Sequence, residues 1–440
     1  MSTELSGVAP RPLHLATTRW LRRTAPVMVW MALISGVALW GAALIRSDPE
    51  IALGAPPLFG KIHPRVSWEI GIPLVLAGAA IAWGFKIARE LPWRTLLLTS
   101  GLAAVAWAVS LALLDGGDAL TRPLLGSHDY LVEVDRIDSL PHFLAQFTDR
   151  LPAYSIHVQG HPPGMVSLLW LMDRGGMAGA GWATAVTLAA AASGVVAVLI
   201  AVRALAGETL ARCVAPFLAF APLAVWVATS ADAFFMGIAA WAVTLGVVAA
   251  RARRHGPLIA FAGGLMFGIT LLLSYGLVLM GLVVVAIAVA LHRWRWLAPY
   301  ALGALAPLLG MWLAGFAWWE GLAATRERYL AGVSSHRPFA FFAIANLAAL
   351  AVATGPAVAA ALTSLRERRL GLIIGGAALA IAVADLSGMS KGEVERIWLP
   401  FALWLSVATA YLVRSRRRNW WLAAQCATAL AVQVVVVTPW

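Results

Sequence analysis

Residues 177–202 read MAGAGWATAVTLAAAASGVVAVLIAV, twenty-six positions without a charge. As a helix rising 1.5 Å per residue, this stretch is longer than the ~30 Å hydrocarbon core of a bilayer. Similar apolar stretches recur along the chain at 24–45, 66–85, 95–114, 213–229, 233–250, 256–273, 276–291, 297–318, 339–362, 370–385, 398–413 and 420–437. The pattern predicts an all-α polytopic membrane protein of about thirteen transmembrane helices. Composition agrees: of 440 residues, 61% are hydrophobic and 12% charged, with a mean hydropathy of +0.81. A water-soluble domain and a disordered chain are both excluded by these values. A transmembrane β-barrel would need short alternating segments of about ten residues, and none alternates in this way. Two cysteines, Cys213 and Cys426, lie in separate apolar stretches and support no disulfide framework.

Charge sets the expected orientation, because Lys and Arg accumulate in short cytoplasmic loops. With the N-terminus inside, 21 of the 33 basic residues fall on the cytoplasmic side and 17 of the 21 acidic residues outside, a split of about +17 against −5. The net charge of +12 therefore marks topology and anionic head groups, and needs no nucleic-acid partner. Residues 1–23 hold four arginines and read as a cytoplasmic segment. The following run is too long for a signal-peptide core and is read as a retained span. The organisation expected is thus 1–23 cytoplasmic, 24–114 three spans, 115–176 an extracytoplasmic acidic loop with short interfacial or re-entrant helices, and 177–440 the remaining bundle. The chain ends outside, in a multi-pass plasma-membrane protein.

Two stretches depart from simple alternation. Residues 162–172 are apolar but too short to cross, and a crossing there would reverse every later arginine cluster. They are expected to re-enter or lie at the interface. The tract 256–291 is long enough for two spans and breaks only at Ser274, Tyr275 and Gly276. Tyr275 then sits in a tight outer turn, either as an aromatic-belt residue or as a ligand contact.

Chemistry-bearing residues concentrate in the long polar segment. Residues 115–161 hold seven acidic residues and four histidines, more than a connector requires. Leu140, Phe143, Leu144 and Phe147 follow helical spacing, suited to a short helix lying apolar face down on the membrane. Asp129, Glu133 and Asp135 are the tightest acidic group. In a helix Asp129 and Glu133 share a face; in an extended segment Glu133 and Asp135 do. Either arrangement presents two carboxylates, suited to deprotonating a hydroxyl or to holding a divalent cation such as Mg or Mn through Glu133 and Asp135. His157 and His161 are four apart, but Gly160 and the diproline Pro162-Pro163 argue against a helix and a zinc site there.

A carboxylate beside Tyr130, an amphipathic segment, and then His161-Pro162-Pro163-Gly164 opening an apolar helix resemble the GT-C superfamily of polyprenyl-phosphate-sugar-dependent glycosyltransferases. The resemblance covers residue 129 to about 250, including Ser230-Ala231-Asp232 at the outer end of a span. It implies a GT-C-like bundle with an inverting transferase at the outer face of the plasma membrane. The donor would be a polyprenyl-phosphate sugar and the acceptor a lipid or glycan hydroxyl. By that analogy Asp129, or else Asp135, is the catalytic base, with Glu133 assisting or binding a metal. Tyr130, His157, His161, Asp232, Tyr275 and Arg396 bind substrate and phosphate. Members of the superfamily usually carry the acidic loop after their first span, whereas here it follows the third, so Asp48-Pro49-Glu50 is the alternative acid site. Arg396 either holds the phosphate or pairs with Glu393 or Glu395; Arg326, Arg328 and His336 are weaker phosphate candidates. Asp232 and Asp385, near span ends, either face a polar cavity or snorkel to the interface. A transporter or flippase, or a non-catalytic envelope-assembly protein, are the rival classes.

Overall fold

In hydrocarbon every backbone N–H and C=O must be satisfied within the chain, so an apolar sequence of this kind spans as helices. The computed structural model describes residues 13–48, 51, 53–228, 230–332, 335–414 and 417–438, with only the backbone given at 13–23 and 413–414. Residues 1–12, Pro49-Glu50 of the alternative acid site, and Arg416 of the expected cytoplasmic set lie outside the described residues.

Three helices, α1 (Leu13–Ser47), α2 (Gly71–Glu90) and α3 (Trp93–Ala112), precede the 115–176 segment. That segment folds as α4 (Leu131–Val134), α5 (Leu140–Gln146), α6 (Ile156–Gln159) and α7 (Gly164–Arg174). Then come α8 (Gly179–Ala206), α9 (Glu208–Ala219), α10 (Ala231–Arg251), α11 (Gly256–Leu273), α12 (Met280–Leu291), α13 (Leu297–Leu313) and α14 (Trp318–Ala331). The chain finishes with α15 (Phe339–Thr354), α16 (Pro356–Leu362), α17 (Arg368–Leu386), α18 (Val394–Ile397), α19 (Leu399–Ser406) and α20 (Arg418–Val435). β1 (Lys61–Ile62) pairs antiparallel with β2 (Val436–Val437). Large apolar side chains such as Leu39 (74%) and Val75 (72%) stand exposed on the bundle's flank, which suits lipid and not water.

The chain is an all-α polytopic membrane protein, but thirteen regular spans do not form. Among the described residues seven helices are long and apolar enough to cross a membrane, and up to nine if each of two bent pairs counts as one span. The stretch expected at 297–318 turns by 77° between α13 and α14, and the one at 339–362 bends by 101° between α15 and α16. Gly315 (φ +101°) and Gly355 (φ +78°), conformations open chiefly to glycine, make these corners. The stretch at 213–229 is α9 followed by a 3₁₀ turn, Pro222–Trp226. Those at 276–291 and 398–413 are shorter apolar helices, and α20 carries Arg418, Asn419, Gln425 and Gln433. Except in α20, where polar residues lower the hydropathy, proline and glycine, which an apolar count does not penalise, lie at these points.

Packing is close where side chains are small. A Cβ on Gly237 would lie 2.1 Å from the Ala190 carbonyl oxygen, and one on Gly264 1.9 Å from that of Tyr300, so α8 meets α10 and α11 meets α13 backbone to backbone. Trp107, Trp226, Trp398 and Trp404 are fully enclosed in the core.

At one end, here the loop end, α4–α7 gather with the 48–70 connection and the 387–397 connection. The β1–β2 pair brings the last described residues to this end, where Asp115 bonds both Arg65 and Gln433. At the opposite, arginine-rich end, Arg212 donates to the carbonyls of Ala88 and Leu91, Arg293 to that of Ala250, and Arg369 to that of Leu205. Helix α7 has 11 residues, about half the length needed to cross. It starts with Gly164 against the Leu272 carbonyl. Helix α5 forms as its spacing predicts, but its apolar face covers protein and not the membrane surface. Phe147 stacks on Tyr154 at 5.4 Å and meets Phe316 edge-on at 5.4 Å. The corner at Gly315 leaves room for Ala145 to seat there.

Candidate active site at the loop end

Four stretches far apart in sequence converge at the loop end: 128–134, 154–161, the start of α10 and α18. Two of them are knitted together by main-chain bonds. The His157 N–H donates to the His128 carbonyl (3.1 Å), and the Ser155 hydroxyl to that of Asp129 (3.0 Å). Glu133, 2% exposed, accepts from the Ser155 N–H and pairs with Arg136 at 3.4 Å. Neither expected geometry forms over the whole segment: α4 starts only at Leu131, with Asp129 in the bend before it, yet Asp129 and Glu133 both turn toward 154–157. Gly160 and the diproline do not prevent a helical turn: α6 forms, and His161 Nδ1 donates to the His157 carbonyl (2.8 Å). A carbonyl can only accept, so the ring proton sits on Nδ1 and Nε2 is left as an acceptor.

Asp129 Oδ1 accepts from the Tyr130 N–H (2.6 Å), and Oδ2 lies 3.2 Å from His157 Nδ1. His157 Nε2 lies 3.4 Å from Arg396 Nη2, which also donates to Glu393 (2.6 Å), while Nη1 donates to Asp232 (2.6 Å). Arginine only donates, so His157 accepts through Nε2 and donates through Nδ1 to Asp129. One imidazole thus bridges a carboxylate and a guanidinium. Tyr130 closes the group, its ring 5.8 Å from that of His157 and 5.9 Å from that of His161.

Local sequence explains the placement. Ser230 caps α10: its hydroxyl accepts from the Asp232 N–H and donates to Asp232 Oδ2. The carboxylate sits in the first turn, where the helix dipole favours negative charge. Gly388 (φ +67°) and Gly392 (φ +97°) turn the chain after α17, and Glu393 opens α18 so that it and Arg396 share a side. Arg337 holds this connection by donating to the Lys391 and Ile51 carbonyls.

Electrostatics follow burial. Burial opposes the charge on Arg396, but Asp232 and Glu393 more than offset it and hold the guanidinium pKa above its ordinary value. Burial pushes His161 down, so its ring is neutral near pH 7. The Tyr130 phenol is pushed well up by burial and by the Asp232 and Asp129 carboxylates, and it remains a donor. Beside this group Glu395 points away: one oxygen accepts from the Phe59 N–H (2.9 Å), the other is buried without a hydrogen-bond partner, and burial pushes its pKa up to about 7.

Six residues singled out from sequence therefore meet: Asp129, Tyr130, His157, His161, Asp232 and Arg396. Others do not. Asp135 is exposed, and Glu133 is buried in main-chain and arginine contacts, so the two do not form a ligand pair. Among the described residues no group of three or more His, Cys, Asp or Glu side chains could hold a metal ion. Tyr275 is buried, not at an interface, with its ring against Trp318 (5.4 Å) and its hydroxyl against Gly321. The fold takes it there because α14, which follows the corner after α13, lies over the turn at 274–276. Arg328 bonds Gln159, clamping α14 to α6. Asp385 does not snorkel; Asn346 donates to it at 2.8 Å. Asp48 is exposed at the end of α1. Of Glu393 and Glu395, the partner of Arg396 is Glu393. Arg337 carried no sequence signal beyond being an arginine just before an apolar stretch.

The chain matches no protein-family model and no curated protein.

Proposed function

We propose that this protein is a membrane glycosyltransferase that moves a sugar from a polyprenyl-phosphate donor to an envelope hydroxyl at the outer face of the plasma membrane. The loop end is then extracytoplasmic, and reaction proceeds with inversion. The observation that carries the reading is the bridge itself: Asp129 lies 3.2 Å from one nitrogen of His157, and Arg396 lies 3.4 Å from the other. A proton acceptor and an anion-binding guanidinium are thereby fixed within one ring's width, as displacement of a phosphate by a hydroxyl requires. The acceptor oxygen attacks the anomeric carbon as the bond from that carbon to the phosphate oxygen breaks. The hydroxyl proton passes to Asp129, and the electron pair leaves with the polyprenyl phosphate, whose growing charge Arg396 stabilises. His157 fixes Asp129 against Arg396, and Asp232 fixes Arg396. Glu133 is a positioning residue that holds 154–157, and no step uses a metal.

The test is transfer from radiolabelled polyprenyl-phosphate sugars to membrane acceptors. Asp129→Asn is expected to lower transfer about 10²- to 10⁴-fold with unchanged thermal stability. Equal transfer by the variant, or none by wild type from any donor, would remove the proposal. A transporter is the second reading, favoured by the sharp break between α15 and α16. That break is bridged, however: Gln425 accepts from the Ala357 N–H and donates to the Thr354 carbonyl.

A further inference from the structure

The end opposite the candidate site holds a cavity of about 290 Å³ lined by Ala250, Arg251, Arg253, Leu291, Arg293 and Arg369. Three connections supply the four arginines: the end of α10, the turn after α12 and the start of α17. A positive-inside bias explains why arginines collect at one end, but not why four face a single cavity without an acid among them. Their neighbours show the usual alternative, since Arg203 and Arg212 share Glu208 at 2.7 and 2.6 Å. Among the described residues no carboxylate pairs with Arg251, Arg253, Arg293 or Arg369. Arg293 and Arg369 instead reach main-chain carbonyls, Ala250 at 2.9 Å and Leu205 at 3.5 Å, which orient the side chains without neutralising them. All four side chains are exposed around the cavity they line, and their planar forks suit the oxygens of a phosphate that enters it. The volume is at the lower end of small-ligand sites and large enough for a phosphate-bearing head group.

We propose that this cavity is a binding site for a phosphate anion of two or more charges, either the head group of an anionic phospholipid or a soluble phosphate compound. The site is independent of the reading given to the loop end, and it would stand if no sugar transfer were found.

The experiment uses the full-length protein in nanodiscs. Wild type, the double variant Arg253→Gln/Arg369→Gln, and the control Arg254→Gln/Arg366→Gln, which removes equal charge outside the cavity, are compared. Lipid retention is read by native mass spectrometry and thermal midpoint by tryptophan fluorescence, in phosphatidylcholine with and without cardiolipin, and in phosphatidylcholine alone with inorganic pyrophosphate. Equal midpoints in plain phosphatidylcholine establish that each variant is folded; should the double variant fail this, Arg253→Gln alone replaces it. Wild type and control are expected to retain cardiolipin or be stabilised by pyrophosphate, and the cavity variant to bind about tenfold more weakly or less. Response to cardiolipin alone assigns a lipid head group, and response to pyrophosphate in neutral lipid a soluble ligand. Equal loss in control and cavity variants would reduce the effect to bulk surface charge and overturn the proposal, as would no response of wild type to either probe.

Discussion

The two ends of this bundle use charge in opposite ways. At the loop end Asp129, His157, Arg396, Asp232 and Glu393 turn inward and pair across up to 239 positions of sequence. At the other end arginines stay near water, bond the last carbonyls of nearby helices, and share one acid between two of them. A charge in contact with water costs little wherever it stands, so it needs no partner from within the chain. A charge withdrawn from water must be met by a partner, and the partner can come from anywhere in the chain. Inward charges therefore mark the place where the fold has been shaped around chemistry.

The strongest way to break this contrast is to remove a buried partner. Arg396→Gln leaves Asp232 buried with only Ser230, and is expected to cost about 3–5 kcal/mol and to abolish transfer. Adding Asp232→Asn should restore most of the thermal stability but none of the activity. A lone Arg396→Gln with a wild-type midpoint would show that the inward pairs are no different from the outward ones.

A pH measurement sharpens the comparison next. Glu395 is pushed from its ordinary 4.5 up to about 7 by burial, so between those values the folded protein holds a proton that the unfolded chain releases. Its contribution is fully present below about pH 4.5 and is lost as pH rises to about 7, a change on the order of 3 kcal/mol. Thermal unfolding of wild type should decline across this window relative to Glu395→Gln, and parallel profiles would refute it. Smaller still is the effect of Glu133→Ala, which strands the buried Ser155 N–H at about 1–3 kcal/mol and lowers transfer along with stability. Glu133→Gln, which keeps an acceptor, should preserve both; if it abolishes transfer in a stable protein, Glu133 is a chemical participant and not a positioning residue. At the opposite end Arg203→Gln should leave the thermal midpoint and transfer unchanged within measurement, because its pair with Glu208 is open to water.

Much of the loop end was legible from residue type. Asp129 and Tyr130 stood out as an acidic knot, His157 and His161 by their spacing, and Asp232 and Arg396 as charges at the margins of apolar stretches where burial is costly. What could not be read was direction. Glu133 and Asp135 read as assisting acid and alternative base beside Asp129, yet one is locked onto Ser155 and the other faces out. Tyr275 looked like an interface residue until α14 folded back over it. Phe143 and Phe147 had a correct helical face and a wrong destination, because an apolar face is satisfied equally by lipid or by Phe316 and Tyr154.

By itself the sequence determined that the chain is helical and polytopic, because long uncharged runs in lipid leave the backbone no other way to satisfy its polar groups. It also determined where charge collects, because each charge near an apolar run is restricted to its margins. Only the tertiary structure decided which runs stay straight, since a corner at Gly315 or Gly355 depends on what packs beside it. It alone decided which acid meets which base. Hydrophobic patterning is a property of each segment, whereas a pair such as Asp232 and Arg396 exists only once two segments 164 residues apart are brought within 2.6 Å.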